Sequence, residues 1–102
     1  MAKANHYIRV RWIHEYEELP VELYSELDSQ GWELRKVEVF AGGRSQAADA
    51  YGGAGDTRLG GEPVLPIDEI ALDPQFKPEF VDRREFEDAW RCARRSVARW
   101  AS

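Results

Sequence analysis

The chain has one cysteine, Cys92, in 102 residues, which rules out an internal disulfide and fits a reducing compartment. No apolar run approaches the roughly 20 residues a membrane-spanning helix needs, so no membrane partner is expected. The first ten residues, Met1 to Val10, lack the apolar stretch of a secretory leader, and a cytoplasmic protein is expected. Basic charge is in deficit: 14 Lys and Arg stand against 19 Asp and Glu, a net charge of −5. That balance argues against nucleic acid, whose binders carry a basic footprint. The glycines of 52–63 are followed by no Gly-Lys-Ser/Thr, and Gly53-Ala54-Gly55 lacks the third glycine of a dinucleotide fingerprint. The two histidines, His6 and His14, fall at opposite ends of one strand, so no metal and no cofactor is expected.

What is present is a composition able to fold. Hydrophobic residues make up 43%, with four each of Trp, Tyr and Phe, which excludes a disordered chain. The length allows one domain, residues 1–102. Charge is unevenly spread: residues 15–33 hold seven acids and no base, and residues 91–99 hold four arginines and no acid. A solvated surface is the plainest account of both runs.

Residues 6–14 alternate with period two, placing Ile8, Val10 and Trp12 on one face and Tyr7, Arg9, Arg11 and Ile13 on the other. The first set is the expected core face, because burying two unpaired arginines costs several kcal/mol. After an acidic connector, Pro20 opens a helix through Val21, Tyr24 and Leu27, stopped by Gly31. Residues 32–41 form a strand with Glu33, Arg35, Val37 and Val39 on one side. Gly42-Gly43 turns it into a partner strand over 44–51. Residues 52–62 are a flexible Gly-rich loop, and Ile67, Ile70 and Ala71 mark a helical turn. Pro74 and Pro78 leave the next segment irregular, anchored by Phe76 and Phe80.

The last helix is the best marked. Asp82 caps it, with Glu85 three residues on completing an acidic capping box. Phe86, Ala89, Trp90, Ala93, Val97 and Trp100 form one stripe, and Glu87 pairs with Arg91. The fold class is α+β: an antiparallel sheet of three to four strands, one or two short helices, and a long C-terminal helix across one face. That helix covers Ile8, Val10 and Trp12, with Trp12, Val37, Val39, Phe86 and Trp90 at the centre. Residues 95–102 are a helical extension.

The segments IleArgValArgTrpIleHis, GluLeuTyrSerGluLeuAsp, GluLeuArgLysValGluValPhe, GlyGlyArg, ProIleAspGluIle and GluPheGluAspAlaTrp, in that order, resemble a family of small standalone bacterial domains. The family's function is unassigned. The resemblance runs from Tyr7 to Trp90 and implies a compact domain with no activity to carry over.

Two constellations are candidates for function. Tyr7, Arg9, Arg11, Trp32, Lys36 and Glu38 would make an outward Arg/aromatic sheet face, the composition enriched where proteins bind proteins. This points to a protein-binding accessory module, immunity- or inhibitor-like, with a protein partner; self-association into a homodimer stays open. The alternative is a small enzyme using His14 with Glu22 and Tyr24 under the Gly-rich loop, the residue types of acid–base catalysis. Cys92, in mid-helix with no histidine near in sequence, reads as a packed or idle thiol.

Overall fold

The computed structural model describes residues 5–53 and 57–101, the side chains of 96–101 excepted. The elements are β1 (His6–Trp12), β2 (Glu22–Leu27), β3 (Glu33–Val39), β4 (Ser45–Asp49), β5 (Gly52–Gly53), α1 (Ile67–Ile70), β6 (Phe76–Val81) and α2 (Arg83–Ala101). The strands form one antiparallel sheet in the order β5-β4-β3-β2-β1-β6. The α+β class and the C-terminal helix agree with the sequence, but the sheet has six strands rather than three or four.

Two of the added strands replace other expectations. The helix expected after Pro20 is β2, a central strand paired with β1 on one side and β3 on the other. The run fits both periods, Val21, Tyr24 and Leu27 at helical spacing and Val21, Leu23 and Leu27 on one side of a strand. Pairing decides it: the Val21 N–H donates to the Val39 carbonyl at 2.7 Å, so extension begins directly after Pro20. The segment expected to be irregular is β6, with Pro78 opposite Val10. The Ile13 N–H donates to the Gln75 carbonyl. In this antiparallel register Lys77 and Glu79 therefore bond towards β1, while the nitrogen of Pro78 faces away. Proline is tolerated there because the strand is an edge, and its missing N–H blunts that edge against a further strand.

The hairpin at Gly42-Gly43 is as expected, both glycines having positive φ (96° and 93°). Gly52 and Gly53, expected in a loop, pair with Asp49 and Ala48, and the next described residue, Thr57, is buried. Residues 54–56 of that expected loop, and Val97 and Trp100 of the helical stripe, lie outside the described residues or side chains.

Both faces of the sheet are covered. Helix α2 lies on the face of Tyr7, Tyr24, Val37, Val39 and Ala47, where Phe86 and Ala93 are fully buried. It does not lie on Ile8, Val10 and Trp12, as the strand pattern suggested. Ile8 and Val10 pack with Leu27 under Val64, Ile67, Ile70 and Phe76 on the opposite face. Trp12 is not central; its indole donates to the Gln75 carboxamide at 3.3 Å. Arg9 does not have to face water because it is paired: it bonds Glu79 and lies 3.8 Å from Glu22 and 3.6 Å from Glu85, while Arg11 stays exposed.

Helix α2 starts where its cap was expected, with the Glu85 N–H donating to Asp82 Oδ1 at 2.8 Å. The Glu85 carboxylate reaches Arg9 rather than completing a box, Glu87 bonds Arg35 rather than Arg91, and Arg91 lies 3.6 Å from Asp88. Tertiary partners won over neighbours on the helix because they lie in partly dry surroundings, where a charge-assisted bond is stronger.

Candidate functional site

The constellation His14, Glu22 and Tyr24 is not brought together. The Tyr16 N–H donates to His14 Nδ1 at 3.0 Å, so Nε2 carries the proton and donates to the Pro20 carbonyl at 2.7 Å. Both ring nitrogens are thus committed to holding the 14–20 connector. Glu22 turns to Arg9, and Tyr24 packs into the core beneath α2.

The six residues expected to form one sheet surface divide between both faces. Tyr7 lies under α2 against Phe86, with ring centroids 5.3 Å apart, and Arg9 sits in its carboxylate cluster. Arg11 and Trp32 are exposed. Lys36 and Glu38 belong to the opposite face, where Lys36 Nζ donates to the Arg58 carbonyl at 2.8 Å and lies 3.5 Å from Glu33.

Two polar clusters fix the sheet to its coverings. Under α2, Arg35 Nε donates to Glu26 Oε1 at 2.5 Å, and its terminal nitrogens fork onto the Glu87 carboxylate. Its guanidinium stacks 4.8 Å from the Phe86 ring and 5.0 Å from that of Trp90. Burial works against the charged form of Glu26, but hydrogen bonds from Arg35, Asn5 and Tyr7 outweigh it and hold its carboxyl below the ordinary range. Glu87 is lowered chiefly by its bond from Arg35. Tyr7 is raised, first by burial and then by the charge of Glu26. On the other face, the buried carboxylate of Glu33 accepts the Ser25 hydroxyl and the Gly60 N–H, each at 2.8 Å, and so ties down the chain beyond Thr57. Every charge in both clusters has a partner, so their chemistry is spent on structure.

The uncommitted surface lies at the other end of that face. The turn from β2 to β3 is set by Asp28, whose Oδ1 accepts the N–H groups of Gln30 (2.8 Å) and Trp32 (3.0 Å). Gly31 closes it at φ 88°. The Gly31 carbonyl accepts the Val64 N–H at 2.8 Å, and a Cβ on Gly31 would stand 3.2 Å from the Val64 carbonyl oxygen. The chain after Pro63 is thereby drawn against the sheet, and Pro66 starts α1. Ile67 and Ile70 then pack on Ile8, Val10 and Leu27. This cover reaches Phe76 at one end of β6 but leaves Phe80 at the other end open, forming a groove of about 320 Å³ with Ile8 and Leu27 in its lining, Leu65 and Phe80 at its sides, and His6 and Asp68 as its titratable groups. Phe80 is 67% exposed and Leu65 58%. A depression of about 420 Å³ beside β5, with Ala47, Asp49, Tyr51 and Arg94 in its lining, supports no functional reading.

A family model for a domain of unknown function matches residues 6–95. The chain belongs to this family, DUF6881. The DUF6881 match begins with β1 and ends within α2, so it takes in the whole sheet and the groove. It brings no activity with it. No curated protein and no solved structure matches the chain.

Little in the sequence points to the groove. Phe80 reads as a core anchor, and nothing local says that the 64–68 segment leaves it open. The available signal was the spacing Phe76, Pro78, Phe80, a period-two run that is apolar on the side away from Lys77 and Glu79. Among the described residues no three His, Cys, Asp or Glu side chains are grouped as metal ligands, and no helix is long and apolar enough to cross a membrane.

Proposed function

We propose that this domain is a protein-binding accessory module that engages its partner through the groove between α1 and β6. One observation carries the reading: Phe80 is 67% exposed beside Leu65 at 58%, at the mouth of a cavity whose floor is otherwise packed core. Scattered single apolar residues on a surface need no account, but two large ones flanking a concave apolar floor form the kind of anchor pocket on which interfaces concentrate their energy. The blunted edge of β6 directs contact to the face of the sheet, because Pro78 denies a partner strand its regular ladder. The Arg/aromatic residues expected from the sequence contribute Arg11 and Trp32 as exposed positions, while Tyr7 and Arg9 act inside the domain. An immunity- or inhibitor-like role fits a small acidic domain that presents one such anchor pocket and has its buried charges paired.

The test is comparative capture from cells that make the protein. Wild-type bait should retain a defined set of proteins that a Leu65→Glu/Phe80→Glu bait loses. A control bait, Tyr51→Glu, altered at a 98%-exposed position by the opposite sheet edge, should keep that set. Recovery of the same proteins by the groove variant would contradict the reading.

A further inference from the structure

Resting on the binding-module reading, we infer that the partner segment is cationic: it inserts one large apolar or aromatic side chain between Leu65 and Phe80 and sets Lys or Arg against Asp68 and Glu69. The groove is framed by the chain from Leu59 to Phe76, an 18-residue stretch with four acids (Glu62, Asp68, Glu69, Asp73) and no Lys or Arg. Asp68 lines the groove itself, and both Asp68 and Glu69 are exposed in α1. Among the basic side chains of neighbouring β6 and β1, the His6 imidazole lines the groove, whereas Lys77 and Arg11, opposite each other in the register, alternate to the α2 side and Arg9 is held by three carboxylates. Unlike the carboxylates of the two buried clusters, Asp68 and Glu69 make no ion pair among the described residues. The groove thus presents apolar surface with a negative border. A volume of about 320 Å³ suits one large side chain, not a folded surface. Opposite charge on the incoming segment speeds encounter and fixes its register, and an acidic segment meets uncompensated like charge.

The experiment is a methyl and amide NMR titration of the whole chain with synthetic pentapeptides: Arg-Arg-Trp-Arg-Arg, Glu-Glu-Trp-Glu-Glu and Arg-Arg-Ala-Arg-Arg. The Arg/Trp peptide should shift the methyls of Ile8, Leu27 and Ile67, and the other two should leave them in place. Asp68→Lys/Glu69→Lys, checked for unchanged core methyl positions before peptide is added, should weaken the Arg/Trp peptide by about tenfold, the loss of two exposed ion pairs. The acidic connector Glu15 to Glu18 is an internal control for general attraction to a protein of net charge −5. Shifts confined to that connector, or equal binding by the Glu/Trp peptide, would overturn the cationic assignment. Groove shifts from the Glu/Trp peptide would still leave the binding-module reading standing. If neither Trp peptide moves the groove methyls, both ideas fall.

Discussion

Glu33 and Arg35 stand two residues apart on β3, yet they serve opposite faces of the sheet. Leu27 pairs with Glu33 and Glu26 with Arg35, so Leu34 is an extra residue, a bulge that reverses the alternation. Glu33 consequently meets the buried Ser25 hydroxyl on the α1 side, while Arg35 meets Glu26 and Glu87 under α2. One irregularity in one strand supplies an ionic clamp to each of the two layers that cover the sheet.

Arg35→Ala should therefore be among the most damaging single changes outside the hydrophobic core. It strands the mostly buried carboxylate of Glu26 and removes the fork that ties α2 to the sheet. A loss of about 3–5 kcal/mol is expected in urea denaturation, the usual cost of removing one partner from a buried pair. Arg35→Met/Glu26→Leu/Glu87→Leu, which removes the charges together, should recover much of that loss. A single variant within 1 kcal/mol or so of wild type would show that water already serves the cluster.

The same cluster sets a pH dependence. Glu26 and Glu87 are both held below the ordinary carboxylate value of 4.5 in the folded state. Their contribution is fully present above that unfolded value and is lost as pH falls through the lower folded values. Urea midpoints should fall on acidification below about pH 4.5, and Glu26→Gln/Glu87→Gln should show a shallower fall from a lower starting stability. An unchanged slope in the double variant would assign acid sensitivity to other carboxylates.

Two glycines separate close approach from open space. A Cβ on Gly53 would stand 2.0 Å from the Thr57 carbonyl oxygen and 3.0 Å from the Ala48 Cβ, whereas one on Gly61 meets nothing within 4 Å. Gly53→Ala should lower the melting temperature by several degrees, and Gly61→Ala should leave it within about a degree or raise it slightly. Equal melting temperatures would mean that the chain at Thr57 yields freely to β5.

The parts of this architecture that local chemistry dictates were legible in the sequence. Alternation in His6–Trp12, the paired glycines at 42 and 43, and the Asp82 cap each need only neighbours within a few residues. Strand β2 was not legible as a strand, because Val21 to Leu27 fits both periods and only β1 and β3 decide between them. The face chosen by α2 was hidden for a related reason: Arg9 and Arg35 become tolerable under a helix only through carboxylates up to 70 residues away. The bulge at Leu34 has no composition of its own. The candidate groove is a product of where residues 64–68, leading into α1, lie relative to Phe80 of β6, which no single segment contains.

The central claim is that the groove between α1 and β6 is where a protein partner is held. Hydrogen exchange on the complex recovered with the wild-type domain tests it most directly, by comparing amide protection with that of the free domain. The account predicts added protection in 64–70 and at Phe80, with the exposed side of α2 and the 15–18 connector unchanged. Protection confined to α2 or to the connector, with 64–70 exchanging as in the free domain, would contradict it.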